Sequence, residues 1–232
     1  MNKRSAFLIV LGIVFLLTNG CGGGGGGGGR FTLPGEIPTG STGGTGTGGT
    51  GGGGTSGQTD PTALTNSAWD DFKLGAYSSA ISKLNEVLAR TDLTDAQKVE
   101  AYNALGWAQA KSSGIESAFN SFSQAASANN ESRVGLAAVY LQRGQKSSMA
   151  QAVQLLETVG LGDTSFRFQA TNPIGVSNAE AHAMLAFCYF WRGESGDDTK
   201  ARAQIAVARS EDPAADSSVG QIYTTLQAMG LN

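Results

Sequence analysis

From Asp60 onward the chain repeats one arrangement four times. A small residue is followed seven or eight positions later by glycine, as Ala68/Gly75, Gly106/Gly114, Ala137/Gly144 and Ala186/Gly193. An alanine then opens a triad with the residues four and seven positions on: Ala80/Leu84/Val87, Ala118/Phe122/Ala125, Ala152/Leu156/Val159 and Ala201/Ile205/Ala208. Such spacing gathers side chains on one face of a helix, and a short unit that cannot bury that face alone must stack on its neighbours. Proline in this part is confined to segment edges, at Pro61, Pro173 and Pro213. The pattern predicts an all-α fold of helix pairs: a first helix, a glycine turn suited to positive φ, and a second helix whose alanine lets the axes approach closely. Start signals fit, with Asp60 capping before Pro61 and capping-box spacing at Thr94/Gln97 and Ser177/Glu180.

The stretches AWDDFKLGAYSSAISKLNEVL and AYNALGWAQAKSSGIESAFNSFSQAASANN resemble the tetratricopeptide repeat (TPR) family over nearly their whole length. The third and fourth units match less closely. Three extra residues are assigned to each of their inter-helix turns, Arg202 stands at an apolar position, and GLGDTSFRFQATNPIGV is inserted between the two units. The resemblance implies a right-handed superhelical array of about four TPR-like helix pairs over residues 60–232. A C-terminal capping helix around Val219, Ile222, Tyr223, Leu226 and Met229 would end it.

In this family the first helices of the pairs line a concave groove that holds a partner's peptide or helix. The corresponding stripes here are Trp69, Phe72 and Lys73, then Asn103, Trp107 and Lys111, then Leu141 and Gln142, then Phe187, Phe190 and Trp191. Aromatic side chains give large contact area with few rotamers to freeze, so the stripe is a candidate partner-binding groove. The alternative is that these rings fill space between repeats. The lysine and asparagine set with which chaperone-binding members grip a carboxylate is missing.

Before Asp60 the chain is a different material, holding 20 of its 34 glycines between Gly22 and Gly57. Residues 1–21 have a basic start (Lys3, Arg4), an apolar run from Ala6 to Leu17 and a small-residue stretch ending in Cys21. That is the layout of a secretory signal, too short in its apolar part for the about 20 residues of a spanning helix. With the cysteine directly after Gly20 it resembles a bacterial lipoprotein signal, departing from the usual pattern in having Thr18 three residues before the cysteine. The resemblance implies lipidation at Cys21, anchoring in the cell envelope and, with Gly22 following, the outer membrane facing the periplasm. An ordinary cleaved signal or an uncleaved anchor are the alternatives. Residues 22–59 read as a disordered Gly/Thr-rich linker with a span of roughly 30–37 Å.

From Asp60 the chain carries 13 basic and 18 acidic side chains, the reverse of a polyphosphate-binding surface, so nucleic acid is not an expected partner. Nor is a catalytic site, a metal or a cofactor expected. The chain's one histidine, His182, reads as a helix-surface or interface residue, and Cys188 as a small buried hydrophobe. The acidic pairs Asp70/Asp71, Asp197/Asp198 and Glu211/Asp212 read as solvated helix ends or turns. Gly144-Gln145-Lys146-Ser147 lacks the spacing of a phosphate-binding loop. The sequence thus points to a lipid-anchored protein-interaction scaffold or assembly factor. A structural spacer without a groove ligand is the alternative, and an accessory enzyme a more distant one.

Overall fold

The computed structural model describes residues 60–231; the expectations about the signal, Cys21 and the linker lie outside the described residues. Within them the chain is all-α. Four helix pairs follow one another: α1 (Pro61–Lys73) with α2 (Tyr77–Leu88), and α3 (Asp95–Ser113) with a 3-10 turn (Ile115–Ala118) running into α4 (Phe119–Ala125). Next come α5 (Asn130–Arg143) with α6 (Lys146–Val159), then α7 (Asn178–Arg192) with α8 (Asp197–Glu211). A last helix, α9 (Ser218–Ala228), packs on α7 and α8.

Local chemistry sets the helix ends. The Asp60 carboxylate accepts from the Ala63 N–H at 3.2 Å ahead of Pro61, and both Thr94/Gln97 and Ser177/Glu180 close reciprocal capping boxes. Each satisfies amide donors that the first helical turn leaves open. At the other end, the four turn glycines Gly75, Gly114, Gly144 and Gly193 all have positive φ, from 64° to 89°, a conformation that L side chains rarely adopt. In the third unit the three extra residues do not enlarge the turn, which is only Gly144 and Gln145. They lengthen the second helix instead: α6 begins six residues before Ala152, whereas α2 begins three before Ala80.

All twelve members of the four alanine triads are buried. Each second helix sinks this stripe against its own first helix and the next one, while the first helices touch one another in order, α1 with α3, α3 with α5 and α5 with α7. A close approach lies at Phe122, whose fully buried ring sits between Gly106 of α3 and Gly135 of α5. A Cβ at either glycine would meet ring carbons at 2.5 Å, so the seam between the second and third units depends on two positions without side chains.

Candidate partner-binding face

An open groove along the first helices would leave each of them a solvent-facing stripe. Instead, every residue from Asn103 to Ala108 of α3 and from Ala181 to Tyr189 of α7 is buried. A helix apolar or buried all round has something lying over its free face. Over α3 and α5 the cover is the inserted segment, residues 160–177, and over α7 it is shared with α9, which packs on the same helix. The connections after α2, α4 and α8 take six, four and six residues, but this one takes eighteen and crosses the first helices as a strap.

The strap leaves α6 through Gly160 at φ 114° and buries Leu161, whose carbonyl accepts from Gln204 Nε2 of α8 at 2.8 Å. The same Gln204 amide contacts His182 Nδ1, and His182 Nε2 lies 3.1 Å from the Phe166 carbonyl. Phe168 is buried, and its N–H donates to Asn178 Oδ1 at the start of α7. Farther on, the Asn172 N–H donates to Glu131 Oε1 of α5 at 2.7 Å. Its side-chain amide donates to Glu131 Oε2 at 2.9 Å and to Glu100 Oε1 of α3 at 3.2 Å. Ile174 is fully buried, and Gly175, at φ 77°, comes beside the Lys111 ammonium before Ser177 caps α7.

Under Asn172 the two carboxylates form a polar seam joining three first helices. Trp69 Nε1 of α1 donates to Glu100 Oε1 at 2.8 Å, Asn103 Nδ2 donates to Glu131 Oε2 at 2.7 Å, and Ser132 Oγ donates to Asn103 Oδ1 at 2.8 Å. Neither carboxylate takes part in an ion pair among the described residues, so neutral amide, indole and hydroxyl donors carry the satisfaction that buried polar groups require. Burial, and secondarily the charge of Glu131, push the Glu100 carboxyl above its ordinary value. Burial likewise pushes the Lys111 ammonium down, partly offset by Glu180.

The eleven groove positions expected from the sequence divide into three sets. Trp69, Asn103 and Lys111 do come to the strap-covered face. Phe72, Trp107, Leu141 and Phe187 do not: they are core side chains, Phe72 edge-on to Trp69 and Tyr77, Trp107 edge-on to Phe122 at 5.1 Å, and Phe187 stacked on Trp191 at 5.7 Å. The physical reason is that neighbouring side chains of the array, not solvent, cover that side of the helix, with the second helix of the same pair supplying Tyr77 against Phe72 and Phe122 against Trp107; the Trp107 indole N–H is left there without an acceptor. Lys73 is exposed and pairs with Asp70 on its own helix, while Gln142, Phe190 and Trp191 are half-buried. His182 is an interface residue and wholly buried, holding the strap to α8. Asp197 departs from the expected solvated helix ends, being buried and paired bidentately with Arg192 at 2.7 and 2.9 Å.

Glu100, Glu131, Asn172 and Ile174 were not legible as site residues. The available signal was Glu100 one turn before Asn103, two polar residues leading into the stretch Asn103–Ala108 that is buried all round. Cys188 is fully buried, and burial raises its thiol far above the ordinary value. Among the described residues no three His, Cys, Asp or Glu side chains gather to hold a metal, and no helix is long and apolar enough to cross a membrane. No protein-family model, curated protein or solved structure matches the chain.

Proposed function

We propose that this chain is a lipid-anchored envelope protein whose TPR-type domain acts as an interaction scaffold or assembly factor, holding an extended segment of a partner protein on its first helices. In this reading Cys21 carries the lipid, residues 22–59 are the linker, the four pairs form the right-handed superhelical array and α9 caps its last pair. The observation that carries the reading is the strap. A segment of eighteen residues with little secondary structure of its own is read, backbone and side chain, by Glu100 and Glu131, two side chains from two successive first helices, with Lys111 lying beside its Gly175. A surface that binds one extended segment this way has the donors, acceptors and apolar socket to bind another of like chemistry. No catalytic group, metal or cofactor enters this function.

The same observation also favours a second reading, a spacer whose first-helix face is permanently filled. Lysine-reactive crosslinking in intact cells separates the two. The scaffold reading expects intermolecular crosslinks from Lys111 of the first helices in excess of those from Lys83 and Lys146 of the second helices. Crosslinks absent from Lys111, or spread evenly over all three, favour the spacer. For the anchor, labelled palmitate should enter the wild-type chain and not Cys21→Ser; equal labelling of both would overturn the lipidation site.

A further inference from the structure

The strap is held differently from the helices it crosses. Its backbone makes few bonds of its own: Asp163 to Gly160, Phe166 to Asp163 and Ile174 to Asn172. Between residues 168 and 175 its attachment rests on side chains: neutral amide donors of Asn172 on two carboxylates, the Asn178 amide oxygen accepting from the Phe168 N–H, and the buried side chains of Phe168 and Ile174. Segments with little internal hydrogen bonding and contacts borne by side chains open at lower free energy than packed helices. The helices do not need the strap's length either, since the other inter-pair connections take four to six residues.

We propose that the strap is an internal occupant of the partner-binding face, and that a partner enters by displacing residues 168–175. The strap also specifies the partner: an extended segment that offers a backbone N–H and a donor side chain to Glu131 and Glu100, followed two residues later by an aliphatic side chain for the socket of Ile174. A donor suits the carboxylate pair, because Glu131 Oε1 takes its bond from the strap backbone, and a carbonyl or carboxylate brought there would leave that oxygen without a donor and set lone pair against lone pair. The aliphatic residue must follow at that distance because the Ile174 N–H turns back to the Asn172 carbonyl at 2.8 Å, fixing the step between the two side chains. This inference rests on the proposed scaffold function.

The test uses the full chain and a fluorescent peptide with the sequence of residues 166–177. Asn172→Ala/Ile174→Ala loosens the strap and leaves the face intact. The double variant should bind the peptide at least tenfold more tightly than the wild type does. A peptide carrying the same two alanines should bind neither chain. Equal binding by wild type and a double variant of unchanged helicity would overturn the proposal.

Hydrogen exchange on the wild-type chain needs no variant. Amides of residues 163–176 should exchange at least tenfold faster than those in the middle of α5, and equal protection would make the strap a permanent part of the core. Crosslinking in cells keeps the two claims apart. Partner crosslinks equal in wild type and double variant contradict the strap and leave the scaffold standing. Peptide binding without any partner crosslink supports the strap and contradicts the scaffold.

Discussion

Placing alanine at Gly106 or Gly135 tests how the second and third units are joined. In an exposed helix interior, Gly→Ala stabilises by about 1 kcal/mol through propensity. Here the new methyl would lie 2.5 Å from Cδ1 and Cε1 of Phe122 at position 106, and 2.5 Å from its Cζ at position 135. Carbon contacts normally sit at about 3.5–4.0 Å, so the ring would have to retreat by about 1 Å. Retreat from one glycine drives it toward the other, and Trp107 stands edge-on at 5.1 Å.

Overpacking of this kind costs about 1–3 kcal/mol. Confinement from both sides puts the cost toward the upper end of that range, so after the propensity gain each variant should be destabilised by about 1–2 kcal/mol. At about 2–4 °C per kcal/mol for a domain of this size, Tm falls by about 2–8 °C. Gly162→Ala is the control: its Cβ would meet only Glu157, at 3.6 Å from Cγ and 4.0 Å from Cβ, and its stability should stay within about 0.5 kcal/mol of wild type. Phe122→Leu, harmful alone, should recover part of the loss when combined with Gly106→Ala, the coupling expected of side chains in contact. The measurement is urea and thermal unfolding of the full chain. If Gly106→Ala and Gly135→Ala both stabilise, or match Gly162→Ala, the description of this seam is wrong.

Three further outcomes follow from the electrostatics and burial. Glu100 is held above its ordinary value of 4.5, so the folded state binds more protons than the unfolded one between that pH and its raised value. Stability therefore falls as pH rises through this window; Glu100→Gln should remove the fall, its advantage in urea midpoint growing above pH 4.5 and then levelling. Asp197→Ala leaves Arg192 without the carboxylate it grips with two nitrogens and should cost about 1.5–3 kcal/mol by urea unfolding. The Cys188 thiol should resist alkylation in the native chain at pH 8 and react fully in denaturant, as its burial and raised pKa require. Rapid native labelling of a Cys21→Ser chain would contradict its placement in the core.

The parts of the fold legible in the sequence are those set by local rules. Helix periodicity, the two capping boxes and the turn glycines depend on residues within a few positions of one another, and all stand where the spacing put them. The strap-covered face depends on pairings that no local pattern encodes. Asn172 meets Glu131 across 41 positions and Glu100 across 72. Spacing at three and four residues defines a stripe on a helix, but whether that stripe meets solvent, the next pair or a strap depends on the stacking. Trp107 and Phe187 met the core for this reason, and Trp69 met a carboxylate. Gly135 was likewise unremarkable until Phe122 came to lie against it from another helix.

The central claim, that the first helices receive an extended segment of another protein, is tested most directly by a photoreactive residue in place of Lys111 in the full-length chain in living cells, with one in place of the exposed Ser82 of α2 as reference. The account predicts that irradiation captures a discrete envelope protein from position 111, that capture increases when Asn172→Ala/Ile174→Ala loosens the strap, and that position 82 captures none of it. Capture of the same protein from both positions, or no capture from position 111 even with the strap loosened, would contradict the account.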